Sequence, residues 1–243
     1  ATRHLSPQAS ALLPPGATPT LAQLLQHRSG IPEFMGPAYA SEAARGGAWG
    51  GARILRVAAA ARPFALPGQD SVHYTNTNYV LLAEVFARAA GEPHTAYLAR
   101  EVLAPLGMAG SRFTDGLEGA FAGAADLVST PEDLAAFAQA LFSGRLTGRR
   151  ALRAMRAQLA PQEPGLIAGA PYGRHMGLGL MVLTDARGKP AAEGHLGRGT
   201  AASCGLWHLP QEGGAIVVYY MAAPGWNGER HLLPEVRAAL AAR

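Results

Sequence analysis

The residues of this chain that could do chemistry lie in three short runs. Tyr74-Thr75-Asn76-Thr77-Asn78-Tyr79 gathers hydroxyls and amides, Gly194-His195-Leu196-Gly197 sets a histidine between glycines, and Leu24-Leu25-Gln26-His27-Arg28-Ser29-Gly30-Ile31-Pro32 holds a second histidine and a serine. A phenol, an imidazole and an amide suit proton transfer and hydrogen bonding to a substrate. A nucleophile to go with them is missing. Serine is weak at its own pKa, and in a Ser-x-x-Lys pair a desolvated amine takes its proton. The chain has a single lysine, Lys189, against 20 arginines, and three residues before it stands Ala186. Arginine cannot replace lysine, because its guanidinium does not deprotonate in proteins. A Gly-x-Ser-x-Gly elbow is absent as well, so no serine sits in a recognised nucleophile context.

The other candidates fall to plainer readings. His4, His73, His94, His175, His208 and His231 lack a metal-binding spacing such as His-Glu-x-x-His, so no metal is expected. No phosphate loop or dinucleotide fingerprint is present, and no cofactor is expected. Cys204 is the one cysteine, which forbids an internal disulfide; a small buried hydrophobe in a strand is the expectation for it. The net charge of +4 comes from arginines scattered along 243 residues, without the clustering of a nucleic-acid surface. Hydrophobic residues at 49% and charged residues at 16% fit a globular chain with a substantial core and no membrane span. The N-terminus lacks both methionine and an apolar signal region, so the gene product is expected to begin upstream.

The elements that must position these residues are legible in outline. Residues 1–19 read as an extended connection, followed by a short helix that Thr20 caps and that closes near Ser29-Gly30. Residues 33–70 read as a Gly, Ala, Arg and Pro-rich surface lobe or lid with at most one helix, around Arg53 to Ala61. Val80, Leu81, Leu82, Val85 and Phe86 predict an amphipathic helix from about Asn78 to Ala90, ended by Gly91. Pro93 opens another helix, and Thr130-Pro131-Glu132-Asp133 starts one that stops at Gly144. Leu178–Thr184, Ala201–Leu209 and Ala215–Met221 predict an antiparallel meander, with turns at Arg187-Gly188 and Glu212-Gly213-Gly214. A helix over Leu233–Ala242 closes the chain. Helices first and strands last make the fold class α+β, one domain over 1–243 with its sheet and closing helix in about 172–243.

These runs, in this order, resemble the serine β-lactamase-related hydrolases: class C β-lactamases, D-Ala-D-Ala carboxypeptidases, D-amino-acid-specific peptidases and related esterases. The resemblance extends to Phe64-Ala65-Leu66-Pro67-Gly68, Pro105-Leu106-Gly107-Met108, Leu127-Val128-Ser129-Thr130 and Tyr172-Gly173 before Gly177-Leu178-Gly179. It implies a helical lobe against an antiparallel sheet flanked by helices, here without the N-terminal strands and the nucleophile helix. It implies that Tyr74 relays the proton of a serine, with cationic neighbours lowering its pKa from about 10. It implies that Asn76 binds the substrate's amide, and that His195 stands where many lactamases have lysine. Gly197 would let substrate approach the strand, and the Arg198 N–H would be one of two oxyanion donors. The His27 to Ser29 segment is a structural turn in such proteins, with the histidine buried.

Two readings follow. The chain is part of a serine hydrolase acting through an acyl-enzyme on D-amino-acid peptides, small esters or amides, with the nucleophile upstream in the gene or on a separate polypeptide. Alternatively it is a non-catalytic binding module that keeps the cleft. Histidine at 195 and leucine at 196 disfavour a third reading, β-lactam hydrolysis as the main activity. The partner expected is a small-molecule or peptide substrate, and the family resemblance points to the periplasm or secretion without excluding the cytoplasm.

Overall fold

A computed structural model describes residues 2–13, 18–61, 72–114, 121–157, 160–161, 172–198, 203–221 and 228–242. The expected motif over 64–68 lies outside them. Backbone contacts divide the chain into two units, Ala1–Pro105 with Ser111–Val128, and Leu106–Gly110 with Ser129–Arg243.

The first unit is mainly helical. Where an extended connection was expected, Ser6 caps a short helix α1 (Pro7–Ser10) by accepting from the Ala9 N–H, and Leu5 and Ala9 are buried. Thr20 and Gln23 form a reciprocal capping box on α2 (Leu21–Leu25). The stretch expected as a lobe holds two helices, α3 (Pro37–Ala43) and α4 (Gly51–Ala61). Helix α4 is core: Leu55 packs with Leu24, Ile31, Leu81 and Val85, and Ile54, Val57 and Ala58 pack with Phe34, Val80 and Phe121. Its alanines disguise that stripe in the sequence. Helix α5 (Thr77–Ala90) buries Val80, Leu81 and Val85 and ends at Gly91, whose left-handed φ of 76° only glycine adopts cheaply. Helix α6 (His94–Leu98) continues into a π-helical turn, and a two-residue pair, β1 (Arg112–Phe113) with β2 (Leu127–Val128), completes the unit.

The second unit is a sheet with helices. Thr130 caps α7 (Pro131–Phe142) by accepting from the Asp133 N–H at 3.2 Å, and α8 (Gly148–Ala157) follows. The strands are β3 (Ala160–Pro161), β4 (Gly173–Met176), β5 (Met181–Thr184), β6 (Pro190–Arg198), β7 (Ser203–Leu209) and β8 (Ala215–Met221). They pair in sequence order, all antiparallel. Asp185 makes the β5–β6 turn by accepting from the Arg187 and Lys189 N–H groups, each at 2.9 Å. Helices α9 (Gly228–His231) and α10 (Leu233–Ala241) close the chain. The α+β class stands. The sheet has three strands beyond the three expected runs: β3 and β4 at one edge and, between β5 and β7, β6, whose Ala, Gly and Glu content hides any alternation.

Candidate active site

In the first unit, residues 27–35 form a cradle for residues 73–79. His27 follows α2 with a left-handed φ of 55°, an uncommon conformation for a residue with a side chain. Its ring is 1% exposed and stacks on Tyr74, with centroids 4.1 Å apart, and on Tyr79 at 5.2 Å. Its Nδ1 lies 3.2 Å from the Thr75 N–H and 3.1 Å from the Thr75 carbonyl oxygen, so the ring is held against the Thr75 backbone. Around it the His73 N–H donates to the His27 carbonyl at 3.0 Å, and Tyr79 Oη donates to that of Leu25 at 3.2 Å. Ser29 Oγ donates to Asn78 Oδ1 at 2.6 Å. Thr77 Oγ1 donates to the Pro32 carbonyl at 2.8 Å and accepts from the Phe34 N–H at 3.1 Å. His27 and Ser29 are therefore buried supports of the Tyr74 segment.

Asn76 is held by a residue that sequence reasoning missed. Glu33 Oε2 accepts from the Asn76 N–H at 2.7 Å and from its Nδ2 at 3.0 Å, while Oε1 accepts from the Met35 N–H at 2.9 Å. The only signal in the sequence was a carboxylate directly after Ile31-Pro32. Tyr74 departs from the expectation of a lowered pKa. Burial first, and the Glu33 charge second, push its phenol up to about 12. At neutral pH the phenol therefore keeps its proton.

In the second unit, His195, Gly197 and Arg198 lie on β6. That strand pairs with β5 from Pro190 to Gly194 and with β7 from Glu193 to Arg198. Among the described residues, His195 to Arg198 thus run past the end of β5 and are paired on the β7 side alone. His195 Nδ1 lies 2.7 Å from the Leu196 carbonyl, so Nδ1 carries the proton and Nε2 is the acceptor nitrogen. Burial holds its pKa below the usual histidine value, against a smaller opposite effect of that hydrogen bond. The two glycines answer to β7. A Cβ on Gly194 would strike the Leu206 carbonyl oxygen, and one on Gly197 would lie 2.7 Å from Cys204 Sγ. Cys204, expected as buried, is half-buried there. Arg198 pairs with Ser203 in register; its side chain lies outside the described residues.

Two residues before His195, Glu193 is buried between the Arg156 guanidinium and His208 Nδ1, the latter at 3.3 Å. His208 stacks on Phe142 with centroids 4.4 Å apart. Burial works against the Glu193 carboxylate, yet the hydrogen bonds from His208 and Arg156 outweigh it and hold its carboxyl below the usual range. This network ties β6 to β7, α7 and α8.

A helical unit carrying a tyrosine-x-asparagine segment, and an antiparallel sheet with helices and a histidine-x-glycine on an inner strand, define the β-lactamase/transpeptidase-like fold. The chain belongs to the β-lactamase family, whose model, described as Beta-lactamase, matches residues 2–242. Solved structures share the fold. A D-amino acid amidase from Ochrobactrum anthropi SV3, complexed with D-phenylalanine, is 24% identical over 96% of this chain and 79% of its own, with a TM-score of 0.69. A D-stereospecific amidohydrolase from Streptomyces sp. is 24% identical over 90% and 74%, with a TM-score of 0.68. A β-lactamase from Mycobacterium bovis is 23% identical over 97% and 80%, with a TM-score of 0.61. No curated protein matches the chain in sequence. Among the described residues no helix is long and apolar enough to cross a membrane.

Proposed function

We propose that the chain is the substrate-binding and proton-relaying part of a serine hydrolase. It works through an acyl-enzyme on D-amino-acid peptides, small esters or amides, and its nucleophile lies outside residues 1–243. The observation that carries this reading is the Tyr74 to Asn76 segment, fixed by His27 beneath Tyr74 and by Glu33 on the Asn76 amide. A packed core has no need of a half-buried amide oriented by a carboxylate. The names of the amidase and the amidohydrolase of like fold agree with it.

In this reading a serine Oγ attacks the substrate carbonyl carbon and its proton passes to Tyr74. Tyr74 takes it as the phenolate, the form that a cation beside it, such as the serine's partner lysine, favours by lowering the phenol from about 12. Tyr74 then protonates the departing amine or alcohol, and water hydrolyses the acyl ester. Asn76 holds the substrate's polar side, His195 lines the strand, Gly197 keeps it uncovered, and the Arg198 N–H with the nucleophile's own N–H stabilises the oxyanion. The second reading, a binding module without catalysis, is favoured by the absence of Ser-x-x-Lys from the sequence.

The test is hydrolysis of a D-phenylalanine anilide by the native protein and its Tyr74→Phe and His195→Ala variants. Tyr74→Phe should lower kcat by about 10²-fold or more, the scale of a general acid–base group, with little change in KM. Unaltered kcat would remove Tyr74 from the mechanism. Turnover by residues 1–243 alone would refute a nucleophile outside the chain, and substrate binding without turnover by the native protein would establish the binding module.

A further inference from the structure

Helix α8 carries charge that the rest of the fold does not use. Between Asp133 and Glu163 the sequence has five arginines and no acidic residue. Arg149, Arg150, Arg153 and Arg156 lie on α8, and Arg145 lies in the turn that leads into it. One side of the helix is fixed to its own unit: Leu152 is buried, and the Met155 carbonyl accepts from the Leu178 N–H, in the turn between β4 and β5, at 3.1 Å. Arg156 is answered by Glu193. Arg145, Arg149, Arg150 and Arg153 are exposed, and none of them pairs with a carboxylate among the described residues. Their four charges equal the net charge of +4 on the whole chain, gathered on one short segment.

This arrangement is uphill for the protein by itself. Arg149 with Arg153, four residues apart, and Arg150 with Arg153, three apart, set like charges side by side on the helix surface. Arg149 and Arg150 also stand in the first turn, where the helix end is already positive and no acidic residue compensates. A polyanion opposite the helix reverses the sign of these interactions. Which polyanion follows from what α8 lacks. Its exposed positions are arginine, alanine and glycine. It offers no aromatic ring to stack on a base, no asparagine or glutamine to read a base edge, and no large exposed apolar side chain to enter hydrocarbon. What remains is guanidinium charge along a helix about 15 Å long, which suits a plane of phosphate headgroups. We propose that Arg145, Arg149, Arg150 and Arg153 dock the protein on a bilayer surface that carries anionic phospholipid, peripherally and without insertion. Each arginine near such a surface strengthens binding about fivefold, so four give half-binding at about millimolar accessible anionic lipid.

The test is co-sedimentation of the full protein with vesicles of mixed phosphatidylglycerol and phosphatidylcholine, and with vesicles of phosphatidylcholine alone, at an ionic strength of about 0.05 M. The protein should bind the mixed vesicles, leave the neutral ones, and come off as salt is raised to about 0.5 M. Arg149→Gln with Arg153→Gln should weaken binding about 25-fold. Arg149→Lys with Arg153→Lys, which keeps the charge, should bind as wild type does. Arg88→Gln with Arg112→Gln removes as much charge from exposed positions of the helical unit and should change binding little. No binding to the mixed vesicles, or equal binding to both kinds, overturns the proposal whether or not the variants fold. Equal losses in the two glutamine variants reduce the effect to net charge, which also overturns it, as does a lysine variant that folds and no longer binds. Duplex DNA bound as tightly per phosphate as the mixed vesicles, through the same two arginines, makes α8 a contact for any polyanion and overturns the choice of lipid.

Discussion

Replacing Glu193 by alanine should cost stability through the partners it leaves behind. The carboxylate side chain is 4% exposed, His208 14% and Arg156 33%. Removing one member of a buried ion pair costs about 3–5 kcal/mol, because the other charge stays desolvated. Arg156 keeps a third of its exposure and can turn to water, so the cost falls below that range, to about 2–3 kcal/mol. For a chain of this size that lowers Tm by roughly 5–10 °C. The pH dependence follows from the lowered Glu193 pKa. A depressed carboxylate contributes stability above its unfolded pKa, about 4.3, and loses that contribution as pH falls through the folded value. The gap between wild type and Glu193→Ala should therefore be full at neutral pH and close below about pH 4. Glu193→Gln, which can still accept from one partner, should fall between them. Denaturant melts followed by circular dichroism across this pH range provide the assay. A Glu193→Ala variant that melts with wild type at neutral pH, or a gap that acid leaves untouched, would refute the reasoning.

Gly194→Ala should destabilise by about 1–3 kcal/mol, since its Cβ meets the Leu206 carbonyl oxygen and backbone cannot turn aside; Gly197→Ala should cost less, because the Cys204 thiol can rotate away, and thermal melts of the pair rank them. Tyr74 should stay protonated through the range in which exposed tyrosines ionise, so Tyr74→Phe should leave the phenolate absorbance unchanged up to about pH 11. With a raised folded pKa, its contribution to stability is complete below about 10 and is lost as pH rises toward about 12. A phenolate signal from Tyr74 near its ordinary value would contradict the burial argument.

Much of the fold could be read wherever one residue type carried the signal locally. Thr130 with Asp133 marked the start of α7, Gly91 marked the end of α5, and Val80, Leu81 and Val85 gave its buried face. What stayed hidden depended on partners far along the chain or on small residues. Helix α8 is arginine-rich and buries Leu152 alone, so no apolar stripe announced it. In α4, small alanines blurred the face carried by Ile54, Leu55 and Val57. Strand β6 carries two glycines because β7 approaches closely, a reason that exists only once the strands are paired. The Tyr74 and Asn76 segment was legible as a motif, whereas Glu33, 43 residues away from Asn76, was not, since nothing local ties a carboxylate after Pro32 to an amide so distant. The direction of the Tyr74 pKa likewise required the burial and the neighbour that only the folded unit supplies.

The most direct measurement is to label the native protein from its source with a fluorophosphonate, digest it, and locate the modified serine by mass spectrometry. The result expected is a label on a serine outside residues 1–243, on the same or a co-purifying polypeptide, formed far more slowly when Tyr74 is phenylalanine. A label on any serine within residues 1–243, or an intact native protein that takes no label, would contradict the hydrolase proposed here.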